Sequence, residues 1–173
     1  MVSRLAKAVD LYRRQGLLAV LARLGAVLRR RPRPMHVDEC ALAFIALRAT
    51  AREGVMVDVG AHVGSTLLPF AQSGWTVIAA EPDAINREAL VDAVKALPRV
   101  SVDGRAISDH REDGVRFYRS ELSSGISGLS SFHPSHAPSD SVSVITLDDL
   151  LREYGVDRVD FLQIDAEGFD FFV

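Results

Sequence analysis

Four short apolar runs, separated by stretches of helical periodicity, constrain this chain more than any other feature. They are VMVDV (55–59), WTVIAAE (75–81), VSVDGRAI (100–107) and VDFLQID (159–165). A strand that is apolar along its whole length must be covered on both faces, which is the habit of parallel sheets. Between the first three runs lie STLLPFAQSG (65–74), helical in pattern and ended by Gly74, and DAINREALVDAVKAL (83–97), with Ile85, Leu90, Val94 and Leu97 on one side. A β-α-β-α-β order predicts a mostly parallel α/β sheet with helices on its faces. A further helix is predicted over 37–51, upstream of the first strand.

Past residue 107 the pattern changes. VRFYRS (115–120) reads as a strand, and 120–141 is rich in Ser, Gly and Pro and reads as one long loop. Loops of that length inside a domain are more often functional than idle. VSVIT (142–146) is another strand. LDDLLREYG (147–155) is a short helix, with Thr146 as N-cap and Gly155 as its stop.

The charge is divided. Residues 1–34 hold nine Lys or Arg against the single acid Asp10, a net +8, so with −3 overall the remainder carries −11. We divide the chain accordingly into a basic helical segment, 1–34, and a body, 35–173. Apolar residues recur at helical spacing to about residue 28, and RRRPRP (29–34) breaks the pattern. The apolar stretch 17–28 contains Arg23 and falls short of the roughly 20 residues a bilayer span needs. Two readings stand: a helix packed on the body or a partner, or an amphipathic helix on an anionic membrane surface. Nucleic acid is disfavoured, since an acidic body repels phosphates. The lone Cys40 excludes an internal disulfide and fits a reducing, cytoplasmic setting; within CALAFIAL it reads as a small buried hydrophobe.

Asp58-Val-Gly60-Ala-His62-Val-Gly64-Ser65 lies at a strand-to-helix turn, where glycines let backbone approach a ligand. Glu81 ends the next strand, 21 residues after Gly60, where nucleotide-binding α/β folds place an acid on ribose hydroxyls. The glycine spacing departs from the G-x-G-x-x-G dinucleotide pattern. Asp58 would repel a pyrophosphate and suits a cation. S-adenosylmethionine, a sulfonium with an amino group and no phosphate, fits better than NAD.

The runs VMVDVGAHVGSTLLPFA, VIAAEPDAINREAL, VSVDGRAISD, SGLSSF, VSVITLDDLL and VDFLQIDAEG resemble FkbM-family methyltransferases in order and spacing, over about residues 55–170. The resemblance implies a Rossmann-like class I methyltransferase fold and methyl transfer to hydroxyls of sugars, glycans, polyketides or lipid-linked metabolites. In that fold a helix and three further strands follow the fourth parallel strand, so FDFFV (169–173) is expected to open that helix, leaving Phe171, Phe172 and Val173 with little to pack against. The expectation is a sheet missing its last strands, from a fragment or a truncated product, with an open edge that invites oligomer formation. The resemblance further implies that Asp58, Gly60 and Gly64 cradle the methionine moiety, that Glu81 takes the ribose hydroxyls, that the Gly104–Arg105–Ala106 turn flanks the adenine, and that Asp165 faces the methyl group. His62 stands where the family often carries Asn and reads as a cofactor-orienting residue.

An alcohol needs its proton removed to become a good nucleophile. Asp165, at the carboxyl end of an apolar strand, is the leading candidate as base or substrate-orienting group; an Asp capping the next turn is the plainer reading. His133 and His136 are alternative bases if the long loop closes over the substrate. Asp165 with Glu167 makes a weak Mg²⁺ signature, and no metal is predicted. The competing functional readings are a truncated, non-catalytic cofactor-binding or partner-completed module, and an NAD-dependent sugar-modifying enzyme.

Overall fold

The computed structural model describes residues 39–48, 53–120 and 122–173. The predicted helix in segment 1–34 lies outside the described residues. In chain order the elements are α1 (Glu39–Arg48), β1 (Val55–Val59), α2 (Leu68–Gln72), β2 (Thr76–Ala80), α3 (Ala84–Val94), β3 (Val100–Asp103), β4 (Ala106–Ile107), β5 (Glu112–Ser120), a 3₁₀ turn (Ser124–Ile126), β6 (His136–Ile145), α4 (Leu147–Glu153), β7 (Phe161–Ile164) and a 3₁₀ turn (Asp170–Phe172).

Strands β3-β2-β1-β7 form a four-stranded sheet in that order, and all three pairings are parallel. This is the mostly parallel α/β arrangement expected of the apolar runs, and the Rossmann-like fold that the family resemblance implies. Residues 56–59 of β1 and 77–80 of β2 are all buried. Side chains alternate across a strand, so β1 feeds two cores. On one face Met56 joins Phe70, Trp75, Val77 and Leu90. Phe70 is the hub there, with ring centroids 5.0 Å from Phe44, 5.1 Å from Trp75 and 4.9 Å from Phe161. On the other face Val57 and Val59 join Ile78, Ile107, Ile145 and Leu150. Each such fully buried side chain contributes about 1.5–3 kcal/mol of transfer free energy. β7 is an edge strand paired only with β1, and Leu162 stays 40% exposed on it.

The structure corrects several boundaries. The run 100–107 is two strands, because Arg105 turns back onto Asp103: β3 belongs to the parallel sheet, and β4 pairs with β6 in a second sheet. That second sheet, β4-β6-β5, is not legible from periodicity. The predicted loop 120–141 ends at residue 135, since β6 begins at His136 and pairs antiparallel with β5. Pro138, which has no N–H for the ladder, lies opposite Tyr118 beside a register shift. The helix predicted over 65–74 shortens to α2, with Pro69 in its first turn, where no N–H is needed. The inward positions of α3 are Asn86, Leu90 and Val94, four residues apart. Ile85 is 62% exposed because it occupies the first turn, where its N–H binds the Asp83 cap. α4 starts as expected, with the Thr146 hydroxyl accepting from the Asp149 N–H.

Candidate functional site

A cleft opens at the carboxyl ends of β1, β2 and β7. Among its lining residues are Asp58, Gly60, His62, Glu81, Arg105, Ala106 and Asp165, all singled out from sequence. Gly104 does not line it, and neither does Gly64. Gly64 sits behind the turn, where an added Cβ would lie 2.8 Å from Leu90 Cδ1, so its part is packing the turn onto α3.

The floor is the turn after β1. Gly60 has φ +79, and a Cβ there would fall 1.9 Å from the Asp165 carbonyl oxygen. No side chain fits, so the backbone of this turn lies directly against the turn after β7. Hydrogen bonds lock both: the Gly60 and Ala61 N–H groups donate to the Ala80 carbonyl at 2.9 and 3.1 Å, and the Asp165 N–H donates to Val59 at 2.9 Å.

Two buried carboxylates face this floor. Asp58 is 1% exposed, and its Oδ2 accepts the Thr66 hydroxyl at 2.5 Å. Burial pushes its carboxyl up to about 6; the Thr66 bond opposes the rise and nearby Asp165 adds to it. Glu81 is 5% exposed, with Oε2 accepting from the His62 N–H and Oε1 from the Asp83 N–H, both at 2.8 Å. Burial raises its pKa too, even against those two donors. His62 reaches Glu81 through its backbone, which adopts φ +51.

Arg105 lines the cleft, but its guanidinium is committed elsewhere. It donates to Asp103 through Nε and Nη2, at 2.9 and 2.7 Å, and reaches Glu153 at 2.8 Å. Burial opposes the Asp103 charge, yet Arg105 outweighs it and holds that carboxyl below its ordinary value. Asp165 is exposed at the rim. The capping bond in its turn belongs to Asp170, which accepts from the Ala166 N–H at 2.7 Å, so the cap reading of Asp165 fails. Glu167 also lines the cleft, and burial, with Asp165 and Asp170 nearby, raises its pKa.

A roof crosses above, contributing Gly125, Ser127, Gly128 and Leu129. Gly128 pairs with Tyr118 of β5 through two backbone bonds of 2.8 and 2.9 Å. His136 Nε2 donates to the Ile126 carbonyl at 2.7 Å. Neither His136 nor the exposed His133 lines the cleft. The roof comes from the Ser- and Gly-rich stretch 120–141, expected to be functional. Sequence reasoning missed Thr66, Gln163 and the bridge in which Arg119 of β5 grips Asp83 at 2.7 and 3.2 Å. Cys40 is buried and donates its thiol to Gln163 Oε1 at 3.2 Å, a structural role. Among the described residues no acid, His or Cys cluster suits a metal ion, and no helix is long and apolar enough to cross a membrane.

A family model described as the methyltransferase FkbM domain matches residues 58–173. No curated protein matches the chain.

Proposed function

The chain belongs to the FkbM methyltransferase family, and from that membership we propose that it transfers the methyl group of S-adenosylmethionine to a hydroxyl of a sugar, glycan, polyketide or lipid-linked metabolite. The observation that carries this reading is the charge of the cleft. Asp58, Glu81 and Asp165 stand at the carboxyl ends of three adjacent parallel strands, and the lining guanidinium, Arg105, is already paired. Such a cleft favours a cationic ligand without phosphates.

The residues fit that cofactor. Gly60 and Ala61 line the cleft where its methionine end would lie, and Asp58 supplies the counter-charge. Each Glu81 oxygen spends one acceptor site on a backbone N–H and keeps a second for a ribose hydroxyl. Pro82, Arg105 and Ala106 would flank the adenine. When bound, the sulfonium supplies an electrophilic methyl carbon. The chain's contribution is then mostly alignment, with the roof excluding water and the rim holding the acceptor. A carboxylate oxygen of Asp165 takes the proton of the acceptor hydroxyl, leaving the hydroxyl oxygen as the nucleophile. Asp165 and Glu167 together disfavour a phosphorylated acceptor. We further place the enzyme in the cytoplasm, with the basic segment 1–34 serving either to pack on the body or a partner or to contact an anionic membrane surface.

Calorimetry with S-adenosylhomocysteine and with NAD, followed by transfer of labelled methyl to a glycan panel, tests the reading. Binding of the homocysteine product and label on a neutral glycan are expected. Tight NAD binding with no response to the homocysteine product would sink it.

A further inference from the structure

We propose that Thr66 is a positioning residue for Asp58: its hydroxyl holds the buried carboxylate in its charged, cofactor-ready form and so sets the pH below which cofactor binding fails. The inference rests on reading the cleft as an S-adenosylmethionine site.

Asp58 is 1% exposed, yet the groups around it do little to keep it charged. Its register neighbours are Ala79 on β2 and Gln163 on β7, neither of which carries charge. From the turn after β7, Asp165 repels it. Glu81 and His62 line the same cleft, and the nearest lining guanidinium, Arg105, is held by Asp103 and Glu153. Among the described residues, Thr66, in the turn before α2, favours the carboxylate through a bond of 2.5 Å to Oδ2.

The direction of that bond is forced. A carboxylate has no proton to give, so when Asp58 is charged the threonine hydroxyl must be the donor. The bond therefore exists in this form only for the ionised state, and it fixes Oδ2 while leaving Oδ1 for a cationic ligand. A hydrogen bond to a charged acceptor corresponds to about one to two pKa units of preference for the ionised form. With Asp58 already raised to about 6 by burial, losing it carries the group into the neutral range. The cofactor's ammonium group would then meet a neutral acid at ordinary pH.

The test is S-adenosylhomocysteine affinity of the full chain, measured calorimetrically from pH 5 to 8.5. The wild type should weaken about tenfold per pH unit once Asp58 is protonated, below pH about 6. Thr66→Val and Thr66→Ala should move that limb upward by about one to two pH units. Thr66→Ser keeps the hydroxyl and should restore the wild-type profile. Asp58→Asn should remove the limb in either background.

A limb unmoved in Thr66→Val and Thr66→Ala overturns the inference. So does a Thr66→Ser profile displaced like the valine variant's, which would make the role one of packing by the methyl group. A limb that survives Asp58→Asn assigns the titration to another group and overturns it as well. Wild-type protein that binds no homocysteine product at any pH is a different failure, that of the cofactor reading itself.

Discussion

In the parallel sheet every residue of β1 and β2 past the first is buried, whereas along β5 and β6 only Phe117, Ser120, Val144 and Ile145 are. The first sheet is held by apolar cover on both faces. The second is held by its antiparallel ladder, by β4, and by polar links such as Arg119 to Asp83 and the Ser120–Ser135 hydroxyl pair at 2.7 Å. The difference divides the labour. Buried acids with displaced pKa values need fixed, dry surroundings, and β1 and β2 supply them at their carboxyl ends. The roof over the acceptor side needs no core of its own, and it hangs from the exposed sheet.

That division predicts where substitutions should hurt. The largest effect belongs to Asp165 at the rim of the parallel sheet. Asp165→Asn should cut methyl transfer by about 10²–10⁴-fold with little change in cofactor affinity, while His133→Ala, on the roof side, should leave turnover intact. The reverse result would move the base to the roof.

Next come two glycines of nearly equal backbone conformation. Gly60→Ala combines a φ of +79 with a Cβ driven into the Asp165 carbonyl, and should cost about 4 kcal/mol in a urea melt. Gly114 in β5 has φ +76 and nothing within 4 Å of an added Cβ, so Gly114→Ala should cost about 1 kcal/mol. Equal costs would mean that the contact between the two turns contributes nothing. Smaller again, Glu81→Ala should weaken S-adenosylhomocysteine binding by about 1.5–3 kcal/mol, while Ser141→Ala on β6 leaves it unchanged.

The last effect is on stability against pH, where the two regions act with opposite sign and in different windows. Asp58 is raised in the folded state, so its contribution is present at low pH and is lost as pH rises from about 4 through 6. Asp83 is different. Burial would raise it, but Arg119 and the N–H groups of Asn86 and Ile85 hold it below its ordinary value. Its contribution is therefore present above the unfolded pKa and lost in acid. Melts of the ligand-free chain should show stability falling as pH rises from 4 to 6, where Asp58 loses its proton, and falling separately below about pH 4, where Asp83 gains one. Asp58→Asn should tilt the slope of the first window toward greater stability at higher pH; an unaltered slope would mean that Asp58 titrates normally.

How much of this was legible follows from the same contrast. Burial on both faces leaves its mark as uninterrupted apolar residues, so VMVDV and WTVIAAE are readable as strands, and the acids closing them are readable as site residues. β6 begins HAPSDS, a composition fit for a loop, because its ladder bonds come from the backbone and its outward side chains face water. The Arg105 turn carries no periodic signal either, since Asp103 and Arg105 form it by bonding to each other across two residues. Thr66 is one small polar residue in a glycine turn, and only its distance to Asp58 gives it meaning. Ile85 shows the limit of helical periodicity near a helix end, where the first turn belongs to the cap.

The roof leaves β5 at Ser120 and rejoins β6 at His136, two residues that face each other in the ladder. A connection whose ends already meet closes the same gap at any length. Lengthening or shortening it leaves the hydrogen-bond register of both sheets where it was. The segment between those residues is therefore the part of this protein in which sequence drift is least expensive. On the function proposed above, a lineage carrying this body inherits a ready means of trading one acceptor for another while its cofactor chemistry is handed down unchanged.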